Sequence, residues 1–331
     1  MGERQTALPQ DSTNGATFRL RRLVLQREFL LTIFILIFGV AATLSTPYFL
    51  DIDNFRQILI AISLDLIVAL GMTIVLIGGG IDLSVGSIVG FAAVVAGVAF
   101  GNDISIPVTI FLALVAGILV GSINGLLISY VKINPIITTL GMMGIARSAT
   151  FVLSGGYPLS AIPETFKAFA AGELYGIPKI GILAIVMTVI TGVLLANNVF
   201  LRKYYFLGGN EAAAFRAGIN VKLIKYFSYA LSGAIAATAG ILLVSRLGST
   251  FPHSGQGTEL RVISACIIGG CSINGGKGTI IGTFLGVLLL GLINNILVLT
   301  GVSVYWQGIV SGTILILAVG SDAIVNWRSS R

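Results

Sequence analysis

Ten apolar segments, most close to twenty residues long and separated by short polar loops, constrain this chain more than any other feature. They run near Phe29–Leu50, Gln57–Ile77, Leu83–Gly101, Ile106–Tyr130, Ile133–Leu153, Lys179–Asn197, Tyr226–Val244, Val262–Cys271, Thr279–Leu299 and Val304–Ser321. An apolar helix of about 20 residues spans the hydrocarbon core of a bilayer. Ten such helices use roughly 200 residues, and the remainder of this 331-residue chain is too short for a sizeable soluble domain. Composition agrees, since 56% of residues are hydrophobic and 10% charged, against about a quarter charged in soluble domains. The sequence therefore predicts an all-α integral membrane protein with about ten transmembrane helices. Phe29–Leu50 is too long for a cleaved signal segment and reads as a retained first helix. Cys266 and Cys271 fall in an apolar stretch, where they offer neither a zinc set nor an accessible disulfide, and they are given no role.

Charge sets the orientation. With the N-terminus in the cytoplasm, 14 of the 20 Lys and Arg fall inside: five before the first helix, Lys132, five between Arg202 and Lys225, Lys277, Arg328 and Arg331. Five fall outside, namely Arg56, Lys167, Lys179, Arg246 and Arg261, and Arg147 lies within a segment. That bias is the positive-inside pattern, and an even helix count returns the C-terminus to the cytoplasm. The organisation read from it is a cytoplasmic tail over 1–28, one polytopic domain over 29–323 and a cytoplasmic tail over 324–331. Within the domain, a periplasmic loop spans 154–178 and the largest cytoplasmic loop 198–225. The net charge of +7 reports topology. Nucleic-acid binding needs a solvated basic face, and these cations are dispersed among lipid-flanking loops.

Two glycine-rich breaks interrupt the hydropathy. The first is Gly78–Gly79–Gly80–Ile81–Asp82–Leu83–Ser84. Broken backbone at membrane depth is tolerated only where protein buries it or a cavity solvates it, and Asp82 is placed to cap the next helix by accepting from the amide of Ser84 or Val85. A tight cytoplasmic elbow is the plainer reading. The second is Gly269–Gly270–Cys271–Ser272–Ile273–Asn274–Gly275–Gly276–Lys277–Gly278, in which Gly269–Gly270 align with Gly78–Gly79. Broken helices in corresponding places of two halves point to a transport pathway.

The cytoplasmic loop contains a miniature helix with every terminus signal: Asn210 as N-cap, Glu211 in the first turn, Arg216 in the last and Gly218 just beyond. An isolated helix this short is marginal in water. Its face of Ala212, Ala213 and Ala214 with Phe215 is therefore expected to dock, against the chain's own helix ends or against a partner subunit.

Enzymatic motifs are missing from the sequence. Gly276–Lys277 lacks the glycine five positions before Gly276, where Cys271 stands, and the Ser or Thr after the lysine, where Gly278 stands, that a phosphate-binding loop needs. With one histidine, His253, and no nucleophile elbow or zinc-binding pattern, no catalytic residue and no metal ligand is assigned.

Gly79–Gly80–Ile81–Asp82–Leu83–Ser84–Val85–Gly86–Ser87, Thr139–Leu140–Gly141 with Arg147, Gly208–Gly209–Asn210–Glu211–Ala212–Ala213 through Ala217–Gly218–Ile219, and Gly269–Gly270 through Gly282–Thr283 occur in a distinctive order. In this the chain resembles permease subunits of bacterial ATP-binding-cassette importers of the ribose, galactose, xylose and autoinducer-2 class. The resemblance implies an inner-membrane subunit that pairs with a copy of itself or a related permease and receives a sugar from a periplasmic binding protein. It also implies a cytoplasmic ATPase with tandem nucleotide-binding domains, on which ATP and Mg reside, leaving no cofactor on this chain. The Gly208–Gly218 region resembles the loop that contacts the ATPase. Ser148 stands where glycine is usual and Asp65 where asparagine is expected.

Eight polar residues are candidates for the translocation path: Asp65, Asp82, Ser84, Asn124, Arg147, Asn274, Asn294 and Asn295. Intramembrane charges default to functional hypotheses, while amides equally serve as hydrogen-bonding links between helices. A self-sufficient secondary transporter or channel is the alternative. A cation-coupled carrier would favour several acidic groups near the bilayer centre, of which this chain offers Asp65 and Asp82.

Overall fold

The computed structural model describes residues 27–303 and, beyond them, residues 306, 308–310, 312–313, 316 and 320. Most of the expected tenth span, and nearly all of both expected tails, lie outside the described residues. The helices are α1 (Arg27–Ser45), α2 (Ile52–Ile77), α3 (Val85–Gly101), α4 (Ile106–Ser129), α5 (Pro135–Ser154), α6 (Glu164–Ala171), α7 (Lys179–Asn197), α8 (Val199–Gly209), α9 (Glu211–Arg216), α10 (Val221–Leu247), α11 (Thr258–Ile268) and α12 (Ile280–Leu299). A two-residue hairpin, β1 (Glu173–Leu174) and β2 (Ile177–Pro178), follows α6. Seven helices among the described residues are long and apolar enough to cross a membrane: α1, α2, α4, α5, α7, α10 and α12.

Two expected spans are corrected. The segment Leu83–Gly101 forms a helix of 17 residues that starts only at Val85, because the backbone before it is held by the glycine break. The segment Val262–Cys271 belongs to α11, whose 11 residues extend about 16 Å, half of a bilayer core. The 198–225 loop is also mostly helical. Asn198 caps α8 by accepting from Phe200 N at 2.8 Å, and Asn220 caps α10 by accepting from Leu223 N at 3.1 Å. The 154–178 loop likewise contains α6 and the hairpin.

The core is built around α2 and α10. The C-terminal half of α2 is continuously buried, from Leu66 through Ile77, and α10 packs along α2, α3 and α4. Small residues allow the close crossings: Gly117 and Gly121 of α4 face Gly233 of α10, and a side-chain carbon at Gly117 would fall 2.6 Å from the Gly233 carbonyl.

Chain reversals gather at two ends. At one, Leu159 and Thr250 exchange backbone hydrogen bonds of 3.1 and 2.9 Å, and Arg56 donates to the Gly176 carbonyl at 2.9 Å. At the other, both glycine breaks meet α8: Gly276 N donates to the Ile77 carbonyl at 2.9 Å, and the Tyr205 hydroxyl to the Gly278 carbonyl at 2.9 Å. Between the ends, residues 250–257 run along a glycine stripe on α3. A side-chain carbon at Gly97 would come within 2.7 Å of Thr250, and one at Gly90 within 2.5 Å of the Ser254 carbonyl. Gly255 then reaches Gly86 in the first turn of α3. Helix α11 thus begins partway along α2, which is why it is short.

The two breaks share one geometry. Both α2 and α11 end in a paired bond pattern: Gly79 N to Leu76 O and Gly80 N to Val75 O in the first, Gly270 N to Ile267 O and Cys271 N to Cys266 O in the second. Gly79 (φ +78°) and Gly270 (φ +96°) occupy the left-handed position that such helix ends require. The sequence alignment of Gly78–Gly79 with Gly269–Gly270 therefore corresponds to matching structure.

Candidate functional site

A cavity of about 530 Å³ opens between α2, α10, α11 and α12, with residues 253–256 on one wall. Among its lining groups are Gln57, Asp65, Arg246, His253, Gln256, Arg261, Asn294 and Asn295. Asp65 lies near the middle of the 26-residue α2. Arg261, in the first turn of α11, grips it with Nε to Oδ2 at 2.9 Å and Nη2 to Oδ1 at 3.1 Å. Such a two-pronged pair fixes the carboxylate plane. The guanidinium is further held by a 3.0 Å bond to Thr258 Oγ1.

Of the eight candidate path residues, only Asp65, Asn294 and Asn295 line this cavity. Asn295 is also structural: it donates to Asn54 Oδ1 at 2.7 Å and accepts from Asn54 Nδ2 at 3.2 Å, joining α12 to α2. The Asn294 side chain forms no hydrogen bond among the described residues.

Asp82, Ser84 and Asn124 form a separate, sealed network. Asp82 Oδ1 accepts from Ser84 N at 3.0 Å and Ser84 Oγ at 2.6 Å, while Oδ2 accepts from Ser232 Oγ of α10 at 3.0 Å. Asn124 Nδ2 donates to Ser84 Oγ at 2.8 Å. All four side chains are fully or almost fully buried. Asp82 accepts from the Ser84 amide as expected, but it does not cap α3: the N-cap is Ser84, whose side chain makes no capping bond, and the Asp82 network instead binds the start of α3 to α4 and α10.

The other two candidates are elsewhere. Arg147 donates from Nη1 to the carbonyls of Ser254 at 2.6 Å and Pro252 at 3.4 Å, tying α5 to the turns of the 250–257 segment. Asn274 is an exposed residue of the second elbow, its amide N–H bonded to Ser272 Oγ.

Three cavity or near-cavity charges escaped the sequence reading. Arg246 and Arg261 were assigned to outer loops, and Glu259 received no role. Glu259 is buried beside Gly86, with Oε1 accepting from Gly257 N at 3.2 Å. The available signal was the shortness of Val262–Cys271: a ten-residue apolar run cannot span, so its flanking charges must sit inside.

At the opposite end, α9 is formed as its terminus signals predict. Asn210 Oδ1 accepts from Ala213 N at 2.9 Å, and past Arg216 the helix closes with Gly218 N to Phe215 O and Ile219 N to Ala214 O, Gly218 having φ +79°. Ala214 and Ile219 pack inward with Tyr204 and Leu207 of α8. Burial in that cluster pushes the Tyr204 hydroxyl well above tyrosine's usual pKa range, so it stays neutral. Glu211 pairs with Lys225 of α10 at 2.6 Å. Ala212, Ala213, Phe215 and Arg216 remain exposed, the Phe215 ring by 71%. The docking expected of this helix is thereby divided: one face seats on the chain's own helices and the other is open.

Residues 54–319 match the family described as branched-chain amino acid transport system, permease component. The chain is 37% identical to the ribose import permease protein RbsC of Escherichia coli K12, over 94% of this chain and 98% of that one. It is 38% identical to the ribose import permease protein of Bacillus subtilis 168, over 88% and 91%. It is 34% identical to the autoinducer 2 import system permease protein LsrC of Enterobacter sp. 638, over 90% and 87%. No solved structure matches. Seven apolar spans, glycine-broken helix ends and matches over most of the chain's length agree: the chain belongs to this permease family, as the membrane subunit of an ATP-binding-cassette importer and not itself an enzyme.

Proposed function

We propose that this chain carries a monosaccharide or similar small polyol across the bacterial inner membrane, taking it from a periplasmic binding protein. The family description names branched-chain amino acids, but the near-full-length relatives at 34–38% identity are permeases for ribose and autoinducer 2, and that favours a hydroxylated solute. In this reading both tails are cytoplasmic, the chain crosses in about ten segments, and it works as a homodimer or beside a second permease. ATP and Mg are bound by a cytoplasmic ATPase with tandem nucleotide-binding domains.

The observation that carries the coupling assignment is α9. It is capped at both ends and anchored through Ala214 and Glu211, yet presents Ala212, Ala213, Phe215 and Arg216 to solvent. A rigid helix with a small-residue face and one exposed aromatic ring is built to seat in a partner's groove. Gly208, Gly209, Asn210 and Gly218 set its position and ends, so the whole 208–218 region forms the contact.

Replacing Ala213 with Glu places charge and bulk on that face while keeping a good helix former. The variant is expected to insert at wild-type abundance, fail to co-purify with the ATPase and lose receptor-stimulated ATP hydrolysis. Gly218→Val, strained at φ +79°, should uncouple in the same way. An Ala213→Glu protein that still binds the ATPase and transports at the wild-type rate removes α9 from the interface. Solute accumulation driven by an ion gradient, in liposomes holding this chain alone, would replace the importer with a secondary carrier.

A further inference from the structure

We propose that the cavity between α2, α10, α11 and α12 is a binding site for a small uncharged polyol, with Asp65 as its hydroxyl acceptor and Arg246 as its principal open donor. This rests on the importer reading above and adds the place and the chemistry of the site.

Arg261 uses one acceptor position on each Asp65 oxygen. An ionised carboxylate offers about four, so roughly two remain, and the side chain keeps 23% of its surface open. The Arg261 grip also holds Asp65 oriented before any ligand arrives, which limits the ordering cost of binding. Arg246, in the last turn of α10, lines the cavity with no hydrogen bond or ion pair among the described residues. Asn294 and Gln57 add amides that are likewise unpaired. The wall thus carries open acceptor positions at Asp65, donors at Arg246 and amides that do both, which a molecule bearing several hydroxyls can satisfy with each group donating and accepting.

Charge narrows the class. Asp65 and Arg261 cancel, leaving Arg246 as an uncompensated positive charge among the lining carboxylates and guanidinium groups. A cationic solute is repelled. A zwitterionic amino acid could pair its carboxylate with Arg246, but its ammonium would meet at Asp65 a carboxylate whose charge Arg261 already balances. An anionic solute would satisfy Arg246 and face Asp65 as a like charge. A neutral polyol meets neither penalty, and about 530 Å³ falls within the usual range of small-molecule sites.

The test uses the permease with its ATPase and receptor in proteoliposomes, with labelled D-ribose, D-xylose, D-galactose and D-glucose as probes at saturating loaded receptor. Asp65→Asn alone leaves Arg261 without its counter-charge and is expected to lower both thermal stability and uptake. The double variant Asp65→Asn with Arg261→Gln restores a neutral hydrogen-bonded pair, so stability should recover while uptake stays at least about tenfold down, the scale of a lost charge-assisted hydrogen bond. Arg246→Gln should lower uptake about as much without moving the thermal midpoint. Recovery of uptake in the double variant would make the pair structural and overturn the assignment while leaving the importer intact.

A second arm needs no receptor. A cysteine at Asn294 should be alkylated more slowly when millimolar neutral sugar is present, and gluconate or valine should protect poorly. Stronger protection by gluconate or valine would overturn the neutral class. Failure of the wild-type complex to take up any of the four sugars would sink the importer reading together with this one.

Discussion

Asp65 and Asp82 are the same residue in comparably apolar stretches, and the chain treats them in opposite ways. Asp82 has no cation beside it. Its oxygens are occupied by three hydrogen bonds from Ser84 and Ser232, and no water reaches it. Asp65 has a cation, spends two acceptor positions on it and faces a cavity. A fully buried carboxylate bonded only by its own chain is a structural element; one with open acceptor positions at the wall of a cavity is available to a ligand. An intramembrane acid is open to a functional role when its free acceptor positions can be reached.

That contrast can be broken first at Asp82. Asp82→Leu removes the acceptor for three buried donors, each costing about 1–3 kcal/mol when left unpaired. The expected result is failure to accumulate in membranes, read by immunoblot, with partial recovery in Asp82→Asn, which keeps one acceptor oxygen. Normal abundance of Asp82→Leu would mean that the network is not sealed.

Asp65→Leu should cost less. Arg261 keeps its bond to Thr258 and 36% of its side-chain surface, so water can partly replace the lost carboxylate. The destabilisation is about 1–2 kcal/mol, between exposed and buried ion pairs, and shows as a lower thermal midpoint in detergent at near-normal abundance. A loss matching that of Asp82→Leu would erase the distinction between the two sites.

Asn294→Ala is the smallest expected effect on the fold, within about 0.5 kcal/mol, because the amide has no partner to abandon. Its effect should appear only in uptake. A lowered thermal midpoint with normal uptake would return Asn294 to the role of interhelical link.

Hydropathy and cap chemistry made most of the frame legible. Lys179–Asn197 has its boundaries as read from the sequence, and α2, α4, α5 and α12 deviate by a few residues at their ends. The cap bonds of α9 form as its terminus signals predict, because caps are local and residues 210–219 contain both partners of each one, while Glu211 reaches out to Lys225. The cavity was half legible. Asp65 and Asn294 were visible as polar residues in apolar runs. Arg261, 196 positions away from Asp65, looked like a loop cation because hydropathy averages over a full span and cannot register a helix that begins at mid-depth. The glycine stripe of Gly86, Gly90 and Gly97 passed unnoticed for a related reason. It admits a run of tight turns, and neither helical nor strand periodicity signals that kind of neighbour.

The junction of the two glycine breaks with α8 has a mechanical consequence. Gly208 lies so close to Ile77 and Gly276 that a side-chain carbon there would overlap both backbones, and a carbon at Gly275 would come within 2.7 Å of the Gly79 Cα. Where side chains separate two helices, a displacement of one is partly absorbed by rotamer changes in the other. Here main chain rests on main chain, and no rotamers are available to yield. A displacement of α8 has little to absorb it before it reaches the end of α2 and the elbow that follows α11, the two helices that carry Asp65 and Arg261. The joint is stiff because its residues have almost nothing to move.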